Sequence, residues 1–275
     1  PVIMKMDNGT RRKLSKRKDP EASVDYFFKE GYEPQALLVY LMTIANSNYE
    51  DYIVRTHDYN LDNFTFSLKK MSLDGALFDN DKLNFYSKEI LGKMTKVEIT
   101  EKALAWSKEY SPEFYNFINK DKARFMEIMN IEREKKNPRK DYAKYSEIYP
   151  LIKFFSDEEY LKIYKDNKKE FNPNINKDVI ISFLNDYKDN YDVKSDEQAW
   201  FNKVKEIASK YKFCGDNKVY KENPSLWNGN INDACELIRI SLTGRKVTPN
   251  LFSIMKILTD EEIKERINLT IKDLA

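Results

Sequence analysis

Histidine and cysteine are almost absent: His57 stands alone, and Cys214 and Cys235 are the only cysteines. No C-x-x-C pair and no second histidine exist, so no zinc or other metal site is expected. Two lone cysteines fit a reducing cytoplasm, with Cys235 read as a small core residue. Glycine, at 7, and proline, at 9, are also scarce. Scarce punctuation and polar–apolar alternation at helical spacing predict a mostly α fold. No run approaches the roughly 18 apolar residues of a membrane span, and no signal peptide is visible, so no membrane partner is expected. Neither sign of charge prevails. Charged residues make up 33% of the chain and leave a net charge of +2. That excludes a protein that coats nucleic acid indiscriminately, while leaving room for local basic patches.

What is present suffices for real cores. Hydrophobic residues are 41% of the 275, a length that allows one large or two to three small domains. The densest charge lies in Arg11-Arg12-Lys13-Leu14-Ser15-Lys16-Arg17-Lys18, between the turn signals Asp7-Asn8-Gly9 and Asp19-Pro20. Val2-Ile3-Met4 ahead of it reads as the end of a strand, so a flexible cationic loop is expected to follow. Several cations on one mobile loop suit a polyphosphate. A solvated or nuclear-localisation-like basic run is the alternative for such an octamer.

Beyond the loop, Ser23 is positioned to cap a helix over 24–30 that stops at Gly31. Tyr32-Glu33-Pro34 opens a second, with Ala36, Leu37, Tyr40, Leu41 and Ile44 as its apolar stripe. Residues 46–60 read as polar and turn-rich, with His57 as a surface residue. A segment around Leu61, Phe64, Phe66 and Leu68 leads to Met71-Ser72-Leu73, and a helix is expected to run through Ile90. From Thr95 onward helix follows helix. Ser111-Pro112-Glu113 reads as an N-cap with proline at the first helical position. Ser156-Asp157-Glu158-Glu159, Ser195-Asp196-Glu197-Gln198 and Thr259-Asp260-Glu261-Glu262 fit capping boxes. Asn172-Pro173-Asn174 and the 186–196 stretch mark the candidate boundary between two helical subdomains.

Four separated segments resemble one family in order and spacing. Lys13-Leu14-Ser15-Lys16-Arg17 is similar to the K-M-S-K-S signature of class I aminoacyl-tRNA synthetases, in its K-L-S-K-R form. Gly31-Tyr32-Glu33-Pro34-Gln35-Ala36-Leu37 resembles G-[YF]-x-P-x-A-[LV], and Phe78-Asp79 with Lys82-Leu83-Asn84 resembles F-D-x-x-K-L-x-[WF]. Ile238-Arg239-Ile240-Ser241-Leu242-Thr243-Gly244 with Thr248-Pro249 and Leu251-Phe252 resembles L-R-x-A-L-T-G-x-x-x-[ST]-P-x-L-F. Together they resemble bacterial-type glutamyl-tRNA synthetases, from just before the K-M-S-K-S loop onward. The H-I-G-H motif and glutamate pocket of that family are not in this sequence, so a fragment of a longer protein is expected.

The resemblance implies a domain plan. Residues 1–10 would be the tail of the nucleotide-binding fold, and 11–95 the loop with a stem-contact domain. An all-helical anticodon-binding domain would follow as two subdomains, 96–178 and 179–275. It also implies roles. Lys16 would meet the ATP phosphates, with Lys13, Leu14, Ser15 and Arg17 completing the loop. Lys82, Phe85, Arg139, Arg239, Thr248 and Pro249 would read the anticodon; Lys140 or Arg133 could replace Arg139. On its own pattern, Arg239 sits off the apolar face Ile231, Cys235, Ile238 and Leu242, facing solvent or ligand. Phe85 reads equally as core, and Thr248-Pro249 reads as an N-cap with proline at the first helical position. The implied partners are tRNA(Glu), with tRNA(Gln) open, and glutamate and ATP with Mg2+ in the full-length enzyme, a cytoplasmic monomer. No cofactor is expected on the fragment. A helical protein-interaction scaffold with an incidental basic loop is the competing reading.

Overall fold

The computed structural model describes residues 2–71, 75–166, 171–194 and 196–275. Within them the expected mostly helical fold is observed. The chain forms two compact units, residues 1–150 and 151–275. Positions 95 and 178, expected as boundaries, lie inside the first and second unit respectively. Ser72, Leu73 and Ser195 lie outside the described residues.

The first unit opens with a hairpin of β1 (Ile3–Asp7) and β2 (Thr10–Lys13), pairing Met4 with Lys13 and Asp7 with Thr10. Asn8 and Gly9 take positive φ, 49° and 81°, as the tightest hairpin turns require. This turn corrects the expectation of one flexible cationic loop. It folds Arg11, Arg12 and Lys13 back onto β1, and only from Leu14 does the chain leave the sheet. β3 (Ala76–Leu77) pairs parallel on the other side of β1.

The helix α1 (Val24–Glu30) ends as expected at Gly31, whose φ is 89°. Ser23 precedes it without a side-chain cap bond. The helix α2 (Pro34–Ala45) packs on α3 (Ser47–Thr56) and α4 (Asn80–Lys93). The helix α3 corrects the polar turn expected over 46–60. Fully buried Asn46 caps α3, and Tyr49 and Ile53, one turn apart, drive its inward face. His57 ends it in the left-handed region at φ 53°. The core joins Phe27, Tyr40, Tyr49, Leu83 and Tyr86. Burying each large apolar side chain contributes about 1.5–3 kcal/mol.

The helix α5 (Lys96–Tyr110) starts at a reciprocal Thr95–Glu98 capping box and packs on α6 (Pro112–Lys120) and α7 (Lys122–Asn130). Pro112 opens α6 as expected, while Ser111 makes no side-chain cap bond. Buried Glu33 accepts from Lys102 Nζ at 2.7 Å and Tyr145 Oη at 2.5 Å. Tyr145 N donates to Gly31 O at 2.8 Å, closing the unit onto its first helices. The short helix α8 (Ile148–Ile152) carries the chain across the division at residue 150.

The second unit contains α9 (Asp157–Asp166), α10 (Lys177–Asn190) and α11 (Glu197–Lys210). Asp186, expected in an irregular boundary stretch, is therefore on a helix. Asp196, not Ser195, caps α11 through Ala199 N. β4 (Phe213–Cys214) and β5 (Gly229–Asn230) pair in parallel around α12 (Asn217–Glu222). Then come α13 (Ile231–Thr243), α14 (Leu251–Ile257) and α15 (Asp260–Leu274). The expected Thr259–Glu262 capping box is present, and Ile263 and Ile267 of α15 are fully buried. Arg266 of α15, 3% exposed, binds Leu242 O at 2.7 Å and Asp157 at 2.8 Å across the face of Tyr160.

Candidate nucleic-acid interface

The cationic segment leaves β2 under restraint. Leu14 N donates to Ile3 O at 3.0 Å, and Lys18 N and Asp19 N donate to Ser15 O at 3.0 and 2.8 Å. The Asp19 carboxylate is 3% exposed. It accepts from Ser15 N at 2.8 Å and from Arg12 Nη1 and Nη2 at 2.6 and 2.8 Å. Lys5 Nζ stands 3.5 Å from it. The Arg12 guanidinium, then the Ser15 amide, hold its pKa well below the usual carboxylate range. Above this anchor Lys13, Lys16, Arg17 and Lys18 are exposed. Among the described residues none of the four ends in an ion pair. Lys13 and Lys16 also border an apolar cavity of about 600 Å³, lined by Leu14, Phe27, Leu37 and Phe78.

A second group lies along α4. Lys82, Phe85 and Glu89 recur at i, i+3 and i+7, which places them on one helix face. Phe85 is 56% exposed, so it is no core residue. Lys82 Nζ pairs with Glu50 at 2.7 Å, and Lys140 pairs with Glu89. Asp79, the N-cap, accepts from Asp81 N and Lys82 N and fixes the register of that face. Arg139 lies near the far end of the helix, its carbonyl against Gly92. Its guanidinium is held by Asp141 at 2.5 Å and Glu132 at 3.3 Å. Arg133 spends its donors internally, on the carbonyls of Met129, Leu91 and Met94 and on Tyr142 Oη.

The third group is in the second unit. Arg239 on α13 is half-buried, not solvent-facing, because α13 is covered on more than its expected face: Ala234, Leu237, Ile240 and Ser241 are buried as well. Its Nε is buried without a partner, and its guanidinium forms no ion pair among the described residues. Burial pushes the neighbouring Cys235 thiol up to about 11. Thr248 is not an N-cap. Its Oγ1 donates to Pro249 O at 2.9 Å, and Asn250 caps α14 through Ser253 N at 2.9 Å. Asn at that position caps as well as any residue, and its Nδ2 also reaches Glu197 at 2.6 Å, tying α14 to the start of α11.

Lys82, Phe85 and Arg139 thus share one unit, and Arg239, Thr248 and Pro249 share the other. The residue not singled out from the sequence is Asp19. Its signal was present as a carboxylate four residues after Ser15, a spacing that lets a side chain bind the backbone of its own turn.

Three comparisons bear on these groups. The family described as "Anticodon binding domain" matches residues 228–271, which hold Arg239 and the start of α14. The glutamate–tRNA ligase of Acetivibrio thermocellus is 40% identical over 265 residues, covering 96% of this chain and 48% of that protein. That of Clostridium perfringens strain 13 is 37% identical over 97% of this chain and 49% of its own length. A crystal structure of a glutamate tRNA ligase from Elizabethkingia meningosepticum, in complex with its amino acid, covers all of this chain with a TM-score of 0.60. At 19% identity over 51% of that chain, it speaks for the fold alone. This chain spans about half the length of the curated relatives it matches.

Proposed function

We propose, for a chain homologous along nearly its whole length to the C-terminal part of glutamate–tRNA ligases, that it is the part that docks tRNA. In the whole ligase, glutamate is activated with ATP and Mg2+ and transferred to the 3′ end of tRNA(Glu). This chain supplies the stem contact, the anticodon reader and the loop that meets the phosphates. Residues 11–95 are the loop and stem-contact part, and 96–178 and 179–275 the two anticodon-binding parts. We place the whole ligase in the cytoplasm as a monomer. By itself the chain does not aminoacylate. A helical scaffold would need none of the ordered motifs that coincide here.

The observation that carries the reading is the Arg239 guanidinium, unpaired within the stretch similar to anticodon-binding domains. A half-buried cation with free donors suits a base edge or a phosphate. Within the first unit, Lys82, paired with Glu50, and exposed Phe85 set a cation beside a ring on which an unpaired base can stack. Lys16 matches the loop chemistry. Its ammonium is exposed and unpaired, as an ATP phosphate requires, and charge building on departing pyrophosphate would be stabilised by it. Arg139 or Lys140 supplies the remaining contact, since Arg133 spends its donors inside the fold. Whether tRNA(Gln) is also bound turns on that contact.

The test is filter binding of the chain to tRNA(Glu) and to the same tRNA with a scrambled anticodon, at two salt concentrations. Arg239→Ala is expected to cost about 1–3 kcal/mol on the cognate tRNA and little on the scrambled one. Equal weakening of both, with a flatter salt dependence, would make Arg239 a phosphate contact. No weakening would remove α13 from the tRNA interface.

A further inference from the structure

Lys16 can act on a phosphate only if its loop is held at the right place and height, and one buried carboxylate does the holding. Asp19 receives both guanidinium nitrogens of Arg12, a β2 residue, and the backbone N–H of Ser15, the residue before Lys16. Arg12 Nε is itself held by Asp7 Oδ2 at 2.5 Å, and Lys5, beside Asp19, pairs with Glu21. The Lys16 backbone is therefore tied to the sheet through two charge-assisted links that meet in one carboxylate. The four cations around it carry no such restraint on their side chains.

We propose that Asp19 is a positioning residue for Lys16: it fixes the turn at Ser15 so that the Lys16 ammonium is presented, preformed, to a polyphosphate. This rests on the reading of Lys16 as the phosphate-facing cation. The anchor has a consequence opposite in sign to plain electrostatics. A carboxylate near four cations opposes anion binding through its charge, so its removal should strengthen binding. If Asp19 acts by positioning, its removal weakens binding instead.

Two measurements on the full chain separate the parts. Amide hydrogen exchange reads the anchor without ligand. The Ser15 N–H is expected to exchange about tenfold or more faster in Asp19→Ala, the loss of a hydrogen bond to a charged group. The Leu14 N–H, bonded to Ile3 O, should be unchanged. Asp19→Asn keeps an acceptor for Ser15 and should stay near the wild type at that amide, which guards against a variant that fails to fold. Calorimetric titration with inorganic tripolyphosphate reads the consequence. The wild type should bind, Lys16→Ala should lose most of the binding, and Asp19→Ala should weaken it by about tenfold. Equal Ser15 exchange in wild type and Asp19→Ala overturns the anchor. A loosened Ser15 with tripolyphosphate bound as tightly as before, or more tightly, overturns the positioning. A wild type that binds no tripolyphosphate, with Ser15 still loosened by Asp19→Ala, overturns the phosphate reading of Lys16 and leaves only a structural clamp.

Discussion

A buried Nε without a partner is costly, and Arg239 keeps one while its terminal nitrogens stay unpaired. Beside it, Cys235 shows what the same environment does to a weaker group. Its thiol, pushed up by burial to about 11, remains protonated at neutral and mildly alkaline pH. Cys214 is buried and donates to Asp216 O at 3.2 Å. Native protein is therefore expected to react slowly with Ellman's reagent at neutral pH, and denatured protein to release both thiols at once. A fast native thiol would mean that the cover over α13 opens. At this scale the sequence was legible where chemistry follows residue order, as in the run around Lys16. It was misleading where neighbours decide. The off-stripe position of Arg239 suggested solvent, yet α13 is covered on several faces. Thr248-Pro249 imitates a helix start, yet Asn250 holds the cap through Ser253 N, two residues further along than the amides an N-cap at Thr248 would reach.

Helix ends show the same division. Reciprocal boxes such as Thr259–Glu262 were legible because both partners lie within four residues. The helix α3 was not, since two inward residues make too short a stripe to see, and Tyr, Ile and Val are mediocre helix formers. Gly31 was legible as a stop, but not as a packing site. A Cβ there would stand 2.9 Å from Ser146 N, 3.0 Å from Tyr145 N and 3.1 Å from Trp106 Cε2, on a backbone at φ +89°. Gly31→Ala is expected to destabilise the protein by at least ~2 kcal/mol, about half from the left-handed backbone and half from overpacking against main chain that cannot yield. Urea denaturation would show it as a lower midpoint at an unchanged slope. A midpoint equal to the wild type would mean that residues 145–146 can retreat from α1.

At the scale of the whole molecule, tyrosine dominates the first unit's core. Burial pushes the hydroxyls of Tyr49 and Tyr59 from an ordinary 10 up to about 12. The folded state therefore prefers the neutral phenol, and this preference acts with a definite sign. The contribution is fully present below pH 10 and is lost as pH rises from 10 toward about 12, where the unfolded chain ionises and the folded one resists. Alkaline titration should show the share of tyrosinate absorbance owed to the buried core lagging until helical circular dichroism falls, then rising with it. Tyrosinate formed in full with helicity intact would mean the core is wetter than described. The closure of that core onto its own beginning sets a clock as well. Lys144 pairs with Glu30 across 114 residues, next to the bond from Tyr145 N to Gly31 O. A ribosome adding about 5–20 residues per second spends roughly 6–23 seconds between these positions. During that interval the nascent chain carries α1 and α2 while Glu33 and Gly31 still wait for Tyr145.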